Sequence, residues 1–147
     1  MSDFFFGAAT SAHQIEGNNR HSDWWEFENR VLAKKGIHSG RAANHWELFE
    51  EDIALAAQLG HNCYRFSIEW AKIEPKEGKI DYNAIEHYKK VFECLKRHKL
   101  TPIVTLWHFT LPLWLAQKGG FENKKNLQVF VDYAKFITAE LSEYLEH

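Results

Sequence analysis

Cysteine is scarce in this chain, and the two that occur, Cys63 and Cys94, stand outside any CxxC pair. That spacing excludes a disulfide framework and a cysteine zinc site, and it leaves buried free thiols and a reducing, cytoplasmic setting as the expectation. Charge of one sign is lacking too. Eighteen Lys and Arg against twenty Asp and Glu leave a net charge of −2, and the short basic runs near Lys34, Lys89, Lys96 and Lys124 read as solvated surface. Such a chain has no electrostatic footprint for nucleic acid or anionic lipid. No apolar run approaches the roughly 18 residues that a membrane helix needs. The opening "MSDFFFGAATSA" carries Asp3 where a secretion signal would carry Lys or Arg. Neither nucleic acid nor membrane is therefore expected as a partner.

Several catalytic signatures are missing as well. None of the nine histidines forms an HxxxH or HxH pair, so no metal site is expected, and most of them read as surface. There is no GxGxxG and no GxxxxGK[ST] to cradle a phosphate. "GAATSA" contains Ser11 but not the GxSxG of a nucleophile elbow. With no repeats and no low-complexity linker, residues 1–147 read as part of one domain with room for a sizeable core.

What the sequence does have is strand and helix in alternation. The first strand is expected in "DFFFGAATSA", ending near His13 and Gln14, followed by a long polar loop. A helix, "HWELFEEDIALAAQL", follows. Asn44 and Glu47 offer it a capping box, Trp46, Phe49, Ile53, Ala56 and Ala57 form its buried stripe, and Gly60 ends it. In the second strand, "NCYRFSIEW", alternation puts Tyr64, Phe66, Ile68 and Trp70 on one face and Cys63, Arg65, Ser67 and Glu69 on the other. Ile85, Tyr88, Val91, Phe92 and Leu95 mark the next helix. A third strand, "LTPIVTLWHF", is nearly all apolar, as a parallel strand covered on both faces would be. The last helix turns Phe130, Tyr133, Ala134, Ile137, Leu141, Tyr144 and Leu145 inward.

Three such units predict an α/β fold with a parallel sheet. Ligands in these folds gather at the carboxyl ends of the strands. That rule selects Gln14, Glu16, Glu69, Trp70, Trp107, His108 and Phe109. A guanidinium on a strand, Arg65, requires a carboxylate or comparable acceptors. It need not be Glu69, which is four residues on and roughly 13 Å away along one face. Glu16 and Glu69 are the acids near strand ends, while the helical acids read as solvated. Trp24 and Trp25 in "SDWWEF" read first as loop anchors, or else as an aromatic wall for a sugar. The chain's aromatic share of 15% suits ligands with one apolar and one hydroxylated face.

At this point three stretches resemble a known family. "FFFGAATSAHQIEG", "FEEDIALAAQLGHNCYRFSIEW" and "VTLWHFTLPLWLAQKGGF" are similar, in order and spacing, to the N-terminal part of family 1 glycoside hydrolases, the β-glucosidases and β-glycosidases. "SDWWEF", "SIEWAKIEP" and "HFTLPLWL" resemble its archaeal-type branch. The resemblance implies a (β/α)8 TIM barrel, of which this chain covers about the first three βα units, hydrolysing β-linked sugars with retention and without a cofactor. It implies that Gln14 and His108 bind hydroxyls of the sugar, and that Arg65 holds the nucleophilic carboxylate. Trp107 and Phe109 would wall the pocket, although Phe109 stands where many members have Trp and Thr110 where many have Asp. The family's acid/base glutamate lies at the end of the fourth strand and its nucleophile near the end of the seventh. Neither falls within these 147 residues, so no catalytic residue is assigned. The expected partners are a β-linked glucoside and either the rest of a barrel or a second copy of the chain.

Overall fold

The computed structural model describes residues 4–145; Asp3, the expected start of the first strand, lies outside them. The strands are β1 (Gly7–Ala9), β2 (Cys63–Ser67) and β3 (Thr101–Thr105), and they form one parallel sheet in the order β1-β2-β3. Residues run in register across it, with Ala9 beside Arg65 and Arg65 beside Ile103. Gly7 makes the first pairing possible, because a Cβ there would stand 2.1 Å from the carbonyl oxygen of Cys63.

The main helices are α3 (His45–Gln58), α5 (Tyr82–Arg97) and α7 (Leu127–Glu140), with short helices α1 (Ala12–Ile15), α2 (Asp23–Phe27), α4 (Trp70–Ile73) and α6 (Leu113–Ala116) in the connections. The core lies on one side of the sheet. Tyr64 and Phe66 of β2 meet Ile53, Ile85, Phe92, Leu95 and Ile137 there, with Phe66 edge-on to Phe92 at 5.3 Å. The helix spacing read from sequence thus fixes the buried stripe of α5.

Four expectations need correction. β1 is only three residues long, and the chain then coils, so Gln14 sits on α1 rather than on a strand; the polar loop that follows contains α2. Asn44 does not cap α3 with its side chain. It adopts the left-handed φ of 57°, which lets its carbonyl accept from the amides of Glu47 and Leu48. β2 stops at Ser67, so the alternation fails beyond it. Glu69 caps α4, its Oε1 accepting from the Ala71 amide at 3.2 Å, and Trp70 enters the core from that helix, stacked on Tyr133 at 4.3 Å. Finally, β3 is covered on one face only, since Ile103 is 39% exposed.

Candidate functional site

The groups picked out by the strand-end rule gather at one end of the sheet. Beyond β1, Gln14 is exposed on α1, and its Oε1 accepts from the Ser11 hydroxyl at 2.7 Å. Among the described residues its amide nitrogen meets no acceptor. Beyond β3, His108 is half-buried and packs edge-on to Phe109 at 5.3 Å. Phe109 is 71% exposed. Trp107 packs against Phe121, and its indole N–H donates to the Thr110 carbonyl at 3.0 Å. Arg65 reaches toward this end from the middle of β2, donating to the Thr10 carbonyl at 2.5 Å. It makes no ion pair among the described residues, so most of its five donors stay open to a carboxylate from elsewhere.

The two strand-end acids behave differently from these. Both are buried. Glu69 Oε2 accepts from Asn19 Nδ2 at 2.7 Å and from Thr110 Oγ1 at 2.9 Å. Glu16 Oε1 accepts from the Tyr88 hydroxyl at 2.9 Å, and its Oε2 stands 3.0 Å from Lys72 Nζ. Tyr88 also accepts from the Glu69 amide at 2.8 Å and so joins the two acids. Burial, with the nearby Glu16 carboxylate second, pushes the Glu69 carboxyl up to about 8. Each acid already spends its oxygens on protein partners, which leaves neither free to attack a sugar.

Sequence reasoning passed over Asn19, Lys72 and Asp23, and read Tyr88 only as part of a buried helix stripe. Asp23 ties two loops together, accepting from the Leu111 amide at 2.9 Å while its own amide donates to the Leu111 carbonyl. The only available signal was the clustering of polar residues after β1, which does not name partners. Of the described histidines only His45 is buried, with Nδ1 2.6 Å from Asp52, because α3 lays it against Tyr64. Trp25 anchors its loop against His38 at 4.4 Å. Trp24 does not: it is 42% exposed and lines an open hollow of about 290 Å³ with Asp23 and Phe27. Among the described residues no three His, Cys, Asp or Glu side chains come together to hold a metal ion, and no helix is long and apolar enough to cross a membrane.

Comparison with known proteins agrees with the α/β fold. The sequence profile described as glycosyl hydrolase family 1 matches residues 1–147. Beta-glucosidase A of Acetivibrio thermocellus is 34% identical over 96% of this chain and 33% of its own length. A chloroplastic benzoxazinyl glucoside beta-D-glucosidase of Zea mays is 36% identical over 92% of this chain and 26% of its own length. The structure of a beta-glycosidase from Pyrococcus horikoshii superposes with a TM-score of 0.88 at 45% identity, over 97% of this chain and 34% of that one. The chain thus spans about a third or less of the length of these relatives.

Proposed function

Because the chain belongs to glycosyl hydrolase family 1, we propose that residues 1–147 form the first three βα units of a single (β/α)8 barrel that hydrolyses β-linked glucosides or related sugars with retention. This portion supplies sugar-binding groups. The observation that supports the reading is the placement of Gln14, Arg65 and His108 at one end of a parallel sheet, each with hydrogen-bonding capacity left over. The amide of Gln14 can both donate and accept, as a sugar hydroxyl requires. His108 offers a ring nitrogen to a neighbouring hydroxyl, with the Trp107 and Phe109 rings shaping the wall. Arg65 keeps a carboxylate ionised beside the anomeric carbon.

Retaining hydrolysis needs two carboxyls about 5–5.5 Å apart. Glu16 and Glu69 are committed to Tyr88, Lys72, Asn19 and Thr110, so the reacting pair belongs to strands beyond these three. The partner is then the remainder of a barrel, or a second copy covering the same surface. Both thiols are buried and unpaired, which supports a cytoplasmic setting; recovery of the protein from an oxidising compartment in cell fractionation would overturn that assignment.

The experiment is hydrolysis of an aryl β-glucoside by this chain alone and by this chain joined to the remaining strands of a family 1 relative. We expect turnover only in the joined form, with His108→Ala lowering kcat/KM there by roughly tenfold or more, as loss of a hydrogen bond to the reacting sugar does. Binding without turnover in the joined form would favour a non-catalytic sugar-binding or assembly module. Turnover by the chain alone that vanishes in a Glu16→Gln, Glu69→Gln double variant would overturn the assignment of roles.

A further inference from the structure

The turn that presents His108 is strained at its centre. Phe109 has φ 65°, a left-handed conformation that a bulky aromatic residue rarely adopts. Across it the Thr110 amide donates to the His108 carbonyl at 2.8 Å, which makes a three-residue γ-turn of the rare positive-φ kind. Strain of this sort persists only where the surroundings over-determine it, and it gathers where ligands are held. The Phe109 ring gives no such support. It is 71% exposed, and among the described residues its one neighbouring ring is that of His108.

The support comes from the next residue. Thr110 is 5% exposed. Its hydroxyl lies 2.9 and 3.1 Å from the two oxygens of Glu69, and its carbonyl accepts from the Trp107 indole. The same carboxyl holds Asn19 of the loop after β1 at 2.7 Å and the Ala71 amide at the start of α4 at 3.2 Å. A hydroxyl donates to an ionised acid and accepts from a protonated one, so the link to Thr110 survives in either state.

We propose that Glu69 is a positioning residue: through Thr110 it clamps the strained turn at Phe109, and through Asn19 it fixes that turn to the loop that follows Gln14, so that His108 and Phe109 stay aimed at the strand-end opening. Glu69 itself is too deeply buried to touch a sugar. What the turn presents its rings to rests on the functional reading above; the clamp itself does not.

The test uses the whole 147-residue chain without sugar, and reads hydrogen exchange at the Trp107 indole N–H and the Leu111 amide by NMR. Glu69→Gln should speed both by about tenfold, the scale of one lost hydrogen bond at a buried group, while the Leu95 amide in α5 keeps its protection. Thr110→Val should do the same and Thr110→Ser should not, and this pair carries the test if Glu69→Gln does not fold. Glycine adopts positive φ without strain, so adding Phe109→Gly to either disrupting variant should bring exchange back to within about twofold of the parent. A Glu69 that merely fills the core would act equally in both backgrounds. Unchanged exchange in Glu69→Gln and Thr110→Val, or no relief from Phe109→Gly, would overturn the clamp. The sugar reading is decided separately, by the hydrolysis assay.

Discussion

Two adjacent rows of residues cross the same three strands and meet opposite fates. The row Ala8, Tyr64, Pro102 faces the helices, while the row Ala9, Arg65, Ile103 faces away from them. Tyr64 is 4% exposed and Ile103 is 39% exposed. Nothing about Ile103 itself demands this, since isoleucine is among the residue types most often buried. The difference teaches that the first face is completed by this chain's own helices, whereas the second is left partly open by the described residues. The free donors of Arg65 stand on that second face, beside the strand ends that carry Gln14 and His108.

The sharpest way to break the comparison is to cut into the covered face. Phe92 is 2% exposed and packs edge-on to Phe66. Phe92→Ala should cost about 3–5 kcal/mol in urea unfolding, from lost transfer energy and the cavity left behind. A loss under about 1 kcal/mol would mean that the covered face is not the core.

The next effect concerns the polar network at the strand ends. Tyr88→Phe keeps the ring but leaves Glu16 Oε1 without its donor and the Glu69 amide without its acceptor. A cost of about 1–3 kcal/mol is expected for orphaning buried polar groups. Denaturant midpoints for Tyr88→Phe and the parent chain decide it.

How much of this was legible beforehand depended on how far apart the partners lie in the chain. The apolar stripe of α5 repeats locally, so Ile85, Tyr88, Val91, Phe92 and Leu95 could be read directly. The strand-end rule could place Gln14 beyond β1 and His108 beyond β3 because position relative to a strand is also local. Tyr88 and Glu16 are 72 positions apart, Asn19 and Glu69 50, and Thr110 and Glu69 41. No local pattern announces such pairs. Phe109 was read as a pocket wall, but its φ was invisible, since the residue type argues against the conformation it adopts. Asn44 failed in the opposite sense: a good capping residue used its tolerance of left-handed backbone instead of its side chain.

A pH series separates the network from the rest of the core. Burial, and then Glu16, raise the Glu69 carboxyl from its ordinary 4.5 to about 8. The folded chain therefore keeps a proton that the unfolded chain has lost over that range. The stability from Glu69 is complete below about 4.5 and is lost as pH rises toward 8. His87 has the opposite sign. Burial, and then Lys72, lower it from 6.5 to about 4, so its contribution is present above 6.5 and is lost as pH falls through 4. Lys72 acts on both groups and lowers each. Urea midpoints should decline on the alkaline side in the parent and flatten in Glu69→Gln. A decline that persists in Glu69→Gln would assign the proton to another group.

The smallest expected effect lies on the open face and tests the comparison from its other side. Ile103→Ala removes apolar area that the chain alone leaves partly in water. It should therefore cost under about 1 kcal/mol in unfolding of the monomer, well below a buried isoleucine. The same side chain should matter more to association, because among the described residues the outer edges of β1 and β3 are unpaired and Ile103 is exposed beside them, surfaces that a monomer seldom leaves bare. Light scattering across a concentration series should show the parent chain self-associating, and Ile103→Lys, which adds a charge to that row, should shift it toward monomer. A parent chain that stays monomeric at high concentration, together with a large unfolding cost for Ile103→Ala, would mean that the second face is already complete and that the contrast between the two rows has been misread.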